Sequence, residues 1–372
     1  MPVSAAKKRL LLYGANGYTG RLILDAAMAR ALPVTIAGRR PEAIEPLANE
    51  RGVPFEAFAL DEGPRRLAER FSRFGAVLLA AGPFSRTSAP VLAACLKARV
   101  PYLDITGEIG VFEAVFARHA EAVKAGVVLL PGVGFDVVPS DCLAASLAHA
   151  LPGAVLLQLA FRGFGISSGT ARTMLEGLPK GGAARVDGKL VPVPVAWKAR
   201  TIPFSDRPRY AVTIPWGDLS AAYRSTGIPN IETYMAMAPS HVSALRWVRS
   251  LLPMAGFGPF QALLSAWAKS GIAGPTAEER AGEQSLLWGR VEDGEGRAVE
   301  GTVETLEGYT LTAETAVLAA ERVLRGAVKP GAWTPSRAFG RGFIAEIRDT
   351  KLTVPTRADG VASGRKGSAR RG

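Results

Sequence analysis

Two cysteines, Cys95 and Cys142, and three histidines are the whole supply of soft metal and redox ligands in this 372-residue chain. Two cysteines cannot build a disulfide framework, and both fall in segments with helical spacing, which fits a reducing cytosol. His119, His149 and His241 lie far apart and share no ligand spacing with either cysteine, so no metal site is expected. No P-loop and no nucleophile elbow occur, and none of the seven tyrosines has a lysine four residues on. That excludes phosphate-loop chemistry, the α/β-hydrolase nucleophile and the Tyr-Lys pair of short-chain dehydrogenases. The start, MPVSAAKKRLLLYG, has too short an apolar run for a secretory signal, so a cytoplasmic protein is expected.

Acid is also scarce: 33 Asp and Glu face 45 Lys and Arg, a net charge of +12. More than half of that excess sits in Lys7, Lys8 and Arg9 and in the tail RADGVASGRKGSARRG. With no recognition motif beside the charge, a specific nucleic-acid partner is not expected, and residues 356–372 read as a disordered basic tail.

What is present is a globular composition, 48% hydrophobic and 21% charged, over a length that suggests more than one core. Up to about residue 131 short apolar runs alternate with helical stretches: Leu10–Tyr13, Val34–Ala37, Phe55–Ala59, Ala76–Ala81, Tyr102–Ile105 and Val127–Leu130. That alternation implies a doubly wound parallel sheet. After PGVGFDVVPSD, where Ser140 or Asp141 could cap a helix, strand-like segments dominate: Val155–Phe161, Lys189–Trp197, Arg209–Ile214, Ile231–Met237, Leu286–Glu292 and Ala298–Thr305. A turn at DGEG joins the last two. The expected fold is therefore α/β, a Rossmann-type doubly wound parallel sheet plus a second α+β domain with a largely antiparallel or mixed sheet. Expected boundaries are 1–135 for the first domain and 136–309 for the second. Residues 310–350, an amphipathic helix and the segment after it, are expected to return to the first domain.

Residues 250–268, SLLPMAGFGPFQALLSAWA, carry no charge. Two prolines and two glycines in the middle favour short helices over a membrane span. A buried hairpin, an apolar lid and a peripheral membrane contact all fit.

The stretch LLLYGANGYTGRLI places Gly14, Gly17 and Gly20 between a strand and a helix. Such a turn lets the backbone approach a pyrophosphate, and the helix start offers N–H groups to it. Asn16, Tyr18 and Thr19 lie between the glycines and belong to the expected cofactor contact. The second strand ends in IAGRR, where NAD sites usually carry an acid; Arg39 and Arg40 would instead pair with a 2′-phosphate. The expected cofactor is NADP(H). Asp61, past the third strand, could meet the adenine. Ala81, Gly82, Pro83 and Phe84 follow the fourth strand, where this topology borders the nicotinamide. For the chemistry, Asp104 and Glu108 in YLDITGE and Asp136 in GFDVVPSD are carboxylates at carboxyl ends of strands. Each could carry a proton if desolvated, and each could equally be a capping group. GISSGTAR could start a helix at Ser167 or Ser168 and offer N–H groups to an anion.

YGANGYTGRLI, AGRR, AAGPF, YLDITGE, GFDVVPSD, SSGTA and EGYTLT together resemble the saccharopine dehydrogenase-like oxidoreductases, in the branch called trans-acting enoyl reductases. The likeness runs from about residue 8 to residue 345; the basic tail has no match in that pattern. It implies an NADP-binding Rossmann domain, a second α/β domain and an active site between them. It also implies a small, hydrophobic or lipid-like substrate whose polarised C=C receives a hydride. Two alternatives stand beside that reading. One is a saccharopine-type dehydrogenase working on a C=N bond, for which Arg162, Arg172 and Arg200 are available; the other is a non-catalytic NADP-binding sensor or lipid-surface adaptor. A homodimer is compatible with all three.

Overall fold

The computed structural model describes residues 9–162, 181–243 and 274–355. Residues 250–268, the tail 356–372, Ser167, Ser168 and Arg172, on which several expectations fall, lie outside the described residues.

The first sheet has seven strands, all parallel: β1 (Leu10–Tyr13), β2 (Val34–Gly38), β3 (Phe55–Ala57), β4 (Ala76–Leu79), β5 (Tyr102–Asp104), β6 (Val128–Leu130) and β15 (Gly331–Ala332). Their spatial order is β15-β6-β5-β4-β1-β2-β3. Helices α1 (Tyr18–Ala29), α2 (Pro41–Arg51), α3 (Pro64–Phe71), α4 (Phe84–Ala98), α5 (Ile109–Ala117) and α6 (His119–Ala125) fill the connections. The apolar runs of β1 and β4 are buried throughout because both faces are covered. Leu10 and Leu12 join one core cluster and Leu11 and Tyr13 the other, as the two-residue period of a strand requires.

The second sheet is mixed. Its path is β10 (Ala199–Pro203), β11 (Pro208–Thr213), β12 (Asn230–Ala236), β7 (Ala154–Arg162), β13 (Gln284–Asp293), β14 (Ala298–Leu306) and β16 (Lys351–Thr353). The hairpin β8 (Gly182–Val186) and β9 (Lys189–Val193) attaches to β12. Only the β12–β7 pair in this sheet is parallel among the described strands. Strand β9 stops four residues short of the expected Trp197, because Pro192 and Pro194 remove ladder donors. At the DGEG turn, Asp293 accepts from the Glu295 and Arg297 amides, closing the β13–β14 hairpin.

Helix α7 (Val138–Ala150) begins at Val138, ahead of the expected caps. Pro139 presets the first turn, which leaves Ser140 and Asp141 inside the helix, buried and bonded elsewhere. The helix packs closely on the second sheet at Gly289, where a Cβ would lie 2.7 Å from Leu147 Cδ1. Helix α8 (Asp218–Thr226) lies beside α7, and α9 (Ala277–Gly282) precedes β13. Helix α10 (Gly308–Leu324) leaves the second sheet and runs along α1, its Ala313, Ala316, Val317 and Ala320 entering the main core cluster. Strand β15 then extends the first sheet beside β6. His119 fastens it there: Nδ1 accepts from the Ala332 amide at 3.1 Å. Helix α11 (Pro335–Phe339) and β16 complete the described chain. Cys95 and Cys142 are buried and unpaired. Among the described residues no helix is long and apolar enough to cross a membrane.

Candidate active site

The glycine turn is built by backbone contacts that leave no room for side chains. Gly14 has φ +93°, and a Cβ there would sit 2.8 Å from Ala81 Cβ. A Cβ on Gly20 would be 2.2 Å from the Gly14 carbonyl oxygen, so α1 can seat against the turn only with glycine there. Gly17 differs. It is exposed, its φ is −72°, and a Cβ would meet nothing nearer than Gly14 O at 3.3 Å. Gly17 caps α1 and has no side chain to bond the first-turn N–H groups, which leaves them as donors suited to an anion. The cradle thus fits a dinucleotide pyrophosphate.

The other expected contacts lie on neighbouring strand ends and on α1, not all of them facing the cradle. Asn16 Oδ1 lies against Gly38 at the end of β2, with Arg39 and Arg40 exposed just beyond. Arg40 has only a loose ion pair with Glu42 at 3.9 Å. Burial pushes the Tyr13 phenol up to about 12, opposed by the Arg39 charge and supported by Asp61 and Glu62. Arg39 and Asp61 therefore flank the same end of β1. Thr19 is half-buried on the first turn of α1. Tyr18 turns away from the cradle: its hydroxyl donates to Pro275 O at 2.5 Å and accepts from Arg280 at 2.7 Å. Its ring meets Tyr309 edge-on at 4.9 Å. Ala81, Gly82 and Pro83 form the loop between β4 and α4, Ala81 touching Gly14 and Phe84 opening the helix.

The three candidate carboxylates meet one another but differ in environment. Asp104 is fully buried and fully bonded. The Tyr102 hydroxyl donates to Oδ2 at 2.5 Å, and the Thr106 and Gly132 amides donate to Oδ1 at 3.0 and 2.8 Å. It ties the loops after β5 and β6, and burial still pushes its carboxyl up to about 6. Glu108 faces the start of α4, accepting from the Phe84 amide at 2.7 Å and the Ser85 amide at 2.9 Å. Asp136, on the loop after β6, is only partly buried, and among the described residues none hydrogen-bonds its carboxylate. Oδ2 lies so near Gly107 that a Cβ there would be 2.6 Å from it. Desolvation first, and then the charge of Glu108, push its carboxyl up to about 7.

Two residues beyond the sequence-based candidates complete this corner. The Trp216 indole N–H donates to the Asp136 carbonyl at 2.8 Å. The Trp216 ring packs on Phe161 at 4.9 Å, and Phe161 on Phe135 edge-on at 6.2 Å. Asp218, at the start of α8, is buried and accepts from Ser140 Oγ at 2.7 Å; burial, with Asp141 and Asp136 nearby, holds its carboxyl well above the usual range. PWGDL, a proline and glycine ahead of an acid, was the available helix-start signal, but nothing local ties it to a loop about eighty residues earlier.

Arg162 and Arg200 project from the face of the second sheet opposite Phe161. Arg162 donates to Gln284 O and faces Asp206, while Arg200 donates to Gln158 Oε1 at 2.7 Å. Lys198 and Glu232 join Gln158, Trp197 and Tyr234 around a 470 Å³ depression on that face. Among the described residues, no group of three or more His, Cys, Asp or Glu could hold a metal ion.

Residues 10–130 match the family model described as the saccharopine dehydrogenase NADP binding domain. A Mycobacterium tuberculosis protein provisionally named a trans-acting enoyl reductase is 31% identical over 183 residues, 45% of this chain and 43% of its own length. A trans-acting enoyl reductase of Mycobacterium ulcerans is 31% identical over 144 residues, 36% of this chain and 33% of its own. The chain thus matches less than half the length of these curated relatives. Among solved structures, the apo saccharopine dehydrogenase (L-Glu forming) of Saccharomyces cerevisiae superposes with a TM-score of 0.61 at 16% identity, covering 93% of this chain and all of that one. That likeness is one of fold.

Proposed function

From a chain whose residues 10–130 match the saccharopine dehydrogenase NADP binding domain, we propose an NADPH-dependent reductase that saturates a polarised C=C of a small, hydrophobic acceptor. The supporting observation is Asp136. Among the three candidate carboxylates it alone has oxygens uncommitted to described partners, and it stands beside the aromatic group of Phe135, Phe161 and Trp216.

The glycine turn would hold the pyrophosphate, Arg39 and Arg40 the 2′-phosphate, and the Ala81–Phe84 loop would border the nicotinamide. Bound NADPH supplies a hydride. Saturating a conjugated C=C also consumes one proton, delivered to the carbon that gains the electron pair. A carboxyl titrating near neutrality, as Asp136 does, is suited to hold that proton and release it at physiological pH. Asp104 is a poorer candidate because its oxygens already serve three donors. The aromatic group next to Asp136 would favour an apolar acceptor.

A C=N acceptor bearing several carboxylates would need arginines converging on Asp136. Arg162 and Arg200 are bonded on the far face of the second sheet, which favours the apolar acceptor.

The test is a fluorescence titration with NADPH and NADH, followed by turnover of α,β-unsaturated thioesters and esters. The expected result is at least tenfold preference for NADPH, about 1.4 kcal/mol, lost in Arg39→Ala/Arg40→Ala. Asp136→Asn should retain NADPH affinity while turnover falls by about a hundredfold or more. Undiminished turnover in Asp136→Asn would remove the proton-donor role.

A further inference from the structure

We propose that Glu108 is a positioning residue that clips the nicotinamide-side loop to the strand-end loop under Asp136 and sets a second carboxylate beside Asp136. The inference rests on the reading of Asp136 as proton donor and gives Glu108 a different job from the proton carrier that its place in YLDITGE suggested.

The geometry has three parts. First, each Glu108 oxygen accepts one backbone N–H, from Phe84 at 2.7 Å and Ser85 at 2.9 Å. These are free first-turn donors of α4, a helix capped by Pro83 with no side-chain bond of its own. An acid at that position also complements the positive end of the helix. Glu108 therefore anchors the end of the loop running from Ala81 through Gly82 and Pro83, and Ala81 is the residue that Gly14 abuts. Second, Glu108 is itself held, since its amide donates to Thr106 Oγ1 at 3.1 Å and Thr106 is tied to buried Asp104. Third, the residue before it, Gly107, supports Asp136: any Cβ there would strike Oδ2. One carboxylate thus joins the loops after β4 and β5 and sets a negative charge close to a third, the loop after β6.

Among the described residues two ionisable groups act on Asp136. Glu108 approaches from the loop after β5 and Asp218 from the start of α8. Burial, with Asp141 and Asp136 nearby, holds the Asp218 carboxyl well above the usual range, and Glu108 acts on Asp104 as well. Beyond burial, the neighbouring group that raises the Asp136 carboxyl is Glu108. A negative neighbour favours the proton-bound form, on top of the desolvation that burial imposes.

Three variants separate clip from charge. Glu108→Gln keeps the shape and one acceptor but loses the charge. Glu108→Asp keeps the charge on a shorter stem that cannot span both amides. Asp136→Asn identifies the Asp136 signal. In the full chain, with and without NADP+, Asp carboxyl groups labelled with ¹³C are titrated by NMR, and amide exchange is followed at Phe84 and Ser85. Expected for Glu108→Gln is a drop in the Asp136 titration midpoint of about half a unit to one unit. The acidic shift should appear equally in the pH profile of turnover. Glu108→Asp should leave the midpoint near its original value, and both variants should speed exchange of the two amides. An unchanged midpoint in Glu108→Gln, or unchanged exchange in both variants, overturns the inference while leaving Asp136 as donor. A wild-type midpoint in the ordinary carboxylate range instead overturns the donor reading itself.

Discussion

At the residue scale the glycine turn separates two roles that the repeat alone does not distinguish. Gly20 is glycine for packing: an alanine methyl would occupy the position of the Gly14 carbonyl. Gly17 sits at an ordinary φ, and a Cβ there would press only on the Gly14 carbonyl oxygen at 3.3 Å, so its small size matters more for a ligand than for the fold. Gly20→Ala should cost about 2 kcal/mol or more of stability through overpacking, seen as a lower Tm without nucleotide. Gly17→Ala should leave the apo Tm nearly unchanged and weaken NADPH binding by about tenfold, about 1.4 kcal/mol. Equal thermal losses in both would argue that the turn is only a corner.

Asp136 supports a second residue-scale prediction with a definite sign. Its folded carboxyl titrates near 7, above the value of a free aspartate. Between those two values the folded state binds the proton more tightly than the unfolded chain, so stability from this group is full at low pH and is lost as pH rises through 7. Asp136→Asn abolishes that loss. The variant should show no gain in Tm at pH 4 and a growing gain up to pH 8. There it should reach on the order of 1 to 2 kcal/mol, reduced from the full shift because the carboxylate is partly open to solvent. A gain independent of pH would mean that packing, not ionisation, is responsible.

At the element scale, helix ends carry much of the arrangement. Glu307 is buried and caps α10 by accepting from the Tyr309 and Thr310 amides, both at 3.0 Å. The capped turn carries Tyr309, whose ring meets Tyr18 where α10 packs along α1. Glu307→Ala should lower stability by about 1 to 2 kcal/mol and accelerate hydrogen exchange in the first turn of α10. Neither this cap nor the true start of α7 is among the expected helix starts. Pro139 begins that helix early, and Ser140 and Asp141 are drawn into tertiary bonds with Asp218, Ser225 and Ser336. The short strands β8 and β10 also escape notice: GAARV and ARTIP have few β-branched residues and gain their place from neighbours in the sheet.

At the scale of the whole molecule, Tyr18 is the joint between layers. It leaves the first turn of α1 to bond Pro275 and Arg280 ahead of the second sheet. Tyr18→Phe keeps the ring contact with Tyr309 and removes the hydroxyl. It should speed exchange through 274–282 while leaving the strands of the first sheet unaffected, as hydrogen–deuterium exchange would show. Arg185 makes a second joint, donating to Leu219 O and Gly188 O while pairing with Glu113 on α5 at 3.0 Å. The Arg185 contacts join β8 and the start of α8 to α5.

The sequence alone determined the parallel sheet, the glycine cradle and the arginines beyond β2. Each rests on local physics: strands covered on both faces are unbroken apolar runs, and a phosphate turn needs glycine at set spacings within seven residues. The two sheets' joint and the character of the carboxylates were decided only by tertiary structure. Asp104, Glu108 and Asp136 look alike along the chain, and what distinguishes them is which donors reach them. Those donors are the Thr106, Gly132, Phe84 and Ser85 amides and the Tyr102 hydroxyl, with Trp216 and Asp218 as the further neighbours of Asp136. Most come from other loops, up to about eighty residues away. A carboxylate's proton affinity depends on burial and neighbouring charge, and both are set by distance in space rather than along the sequence.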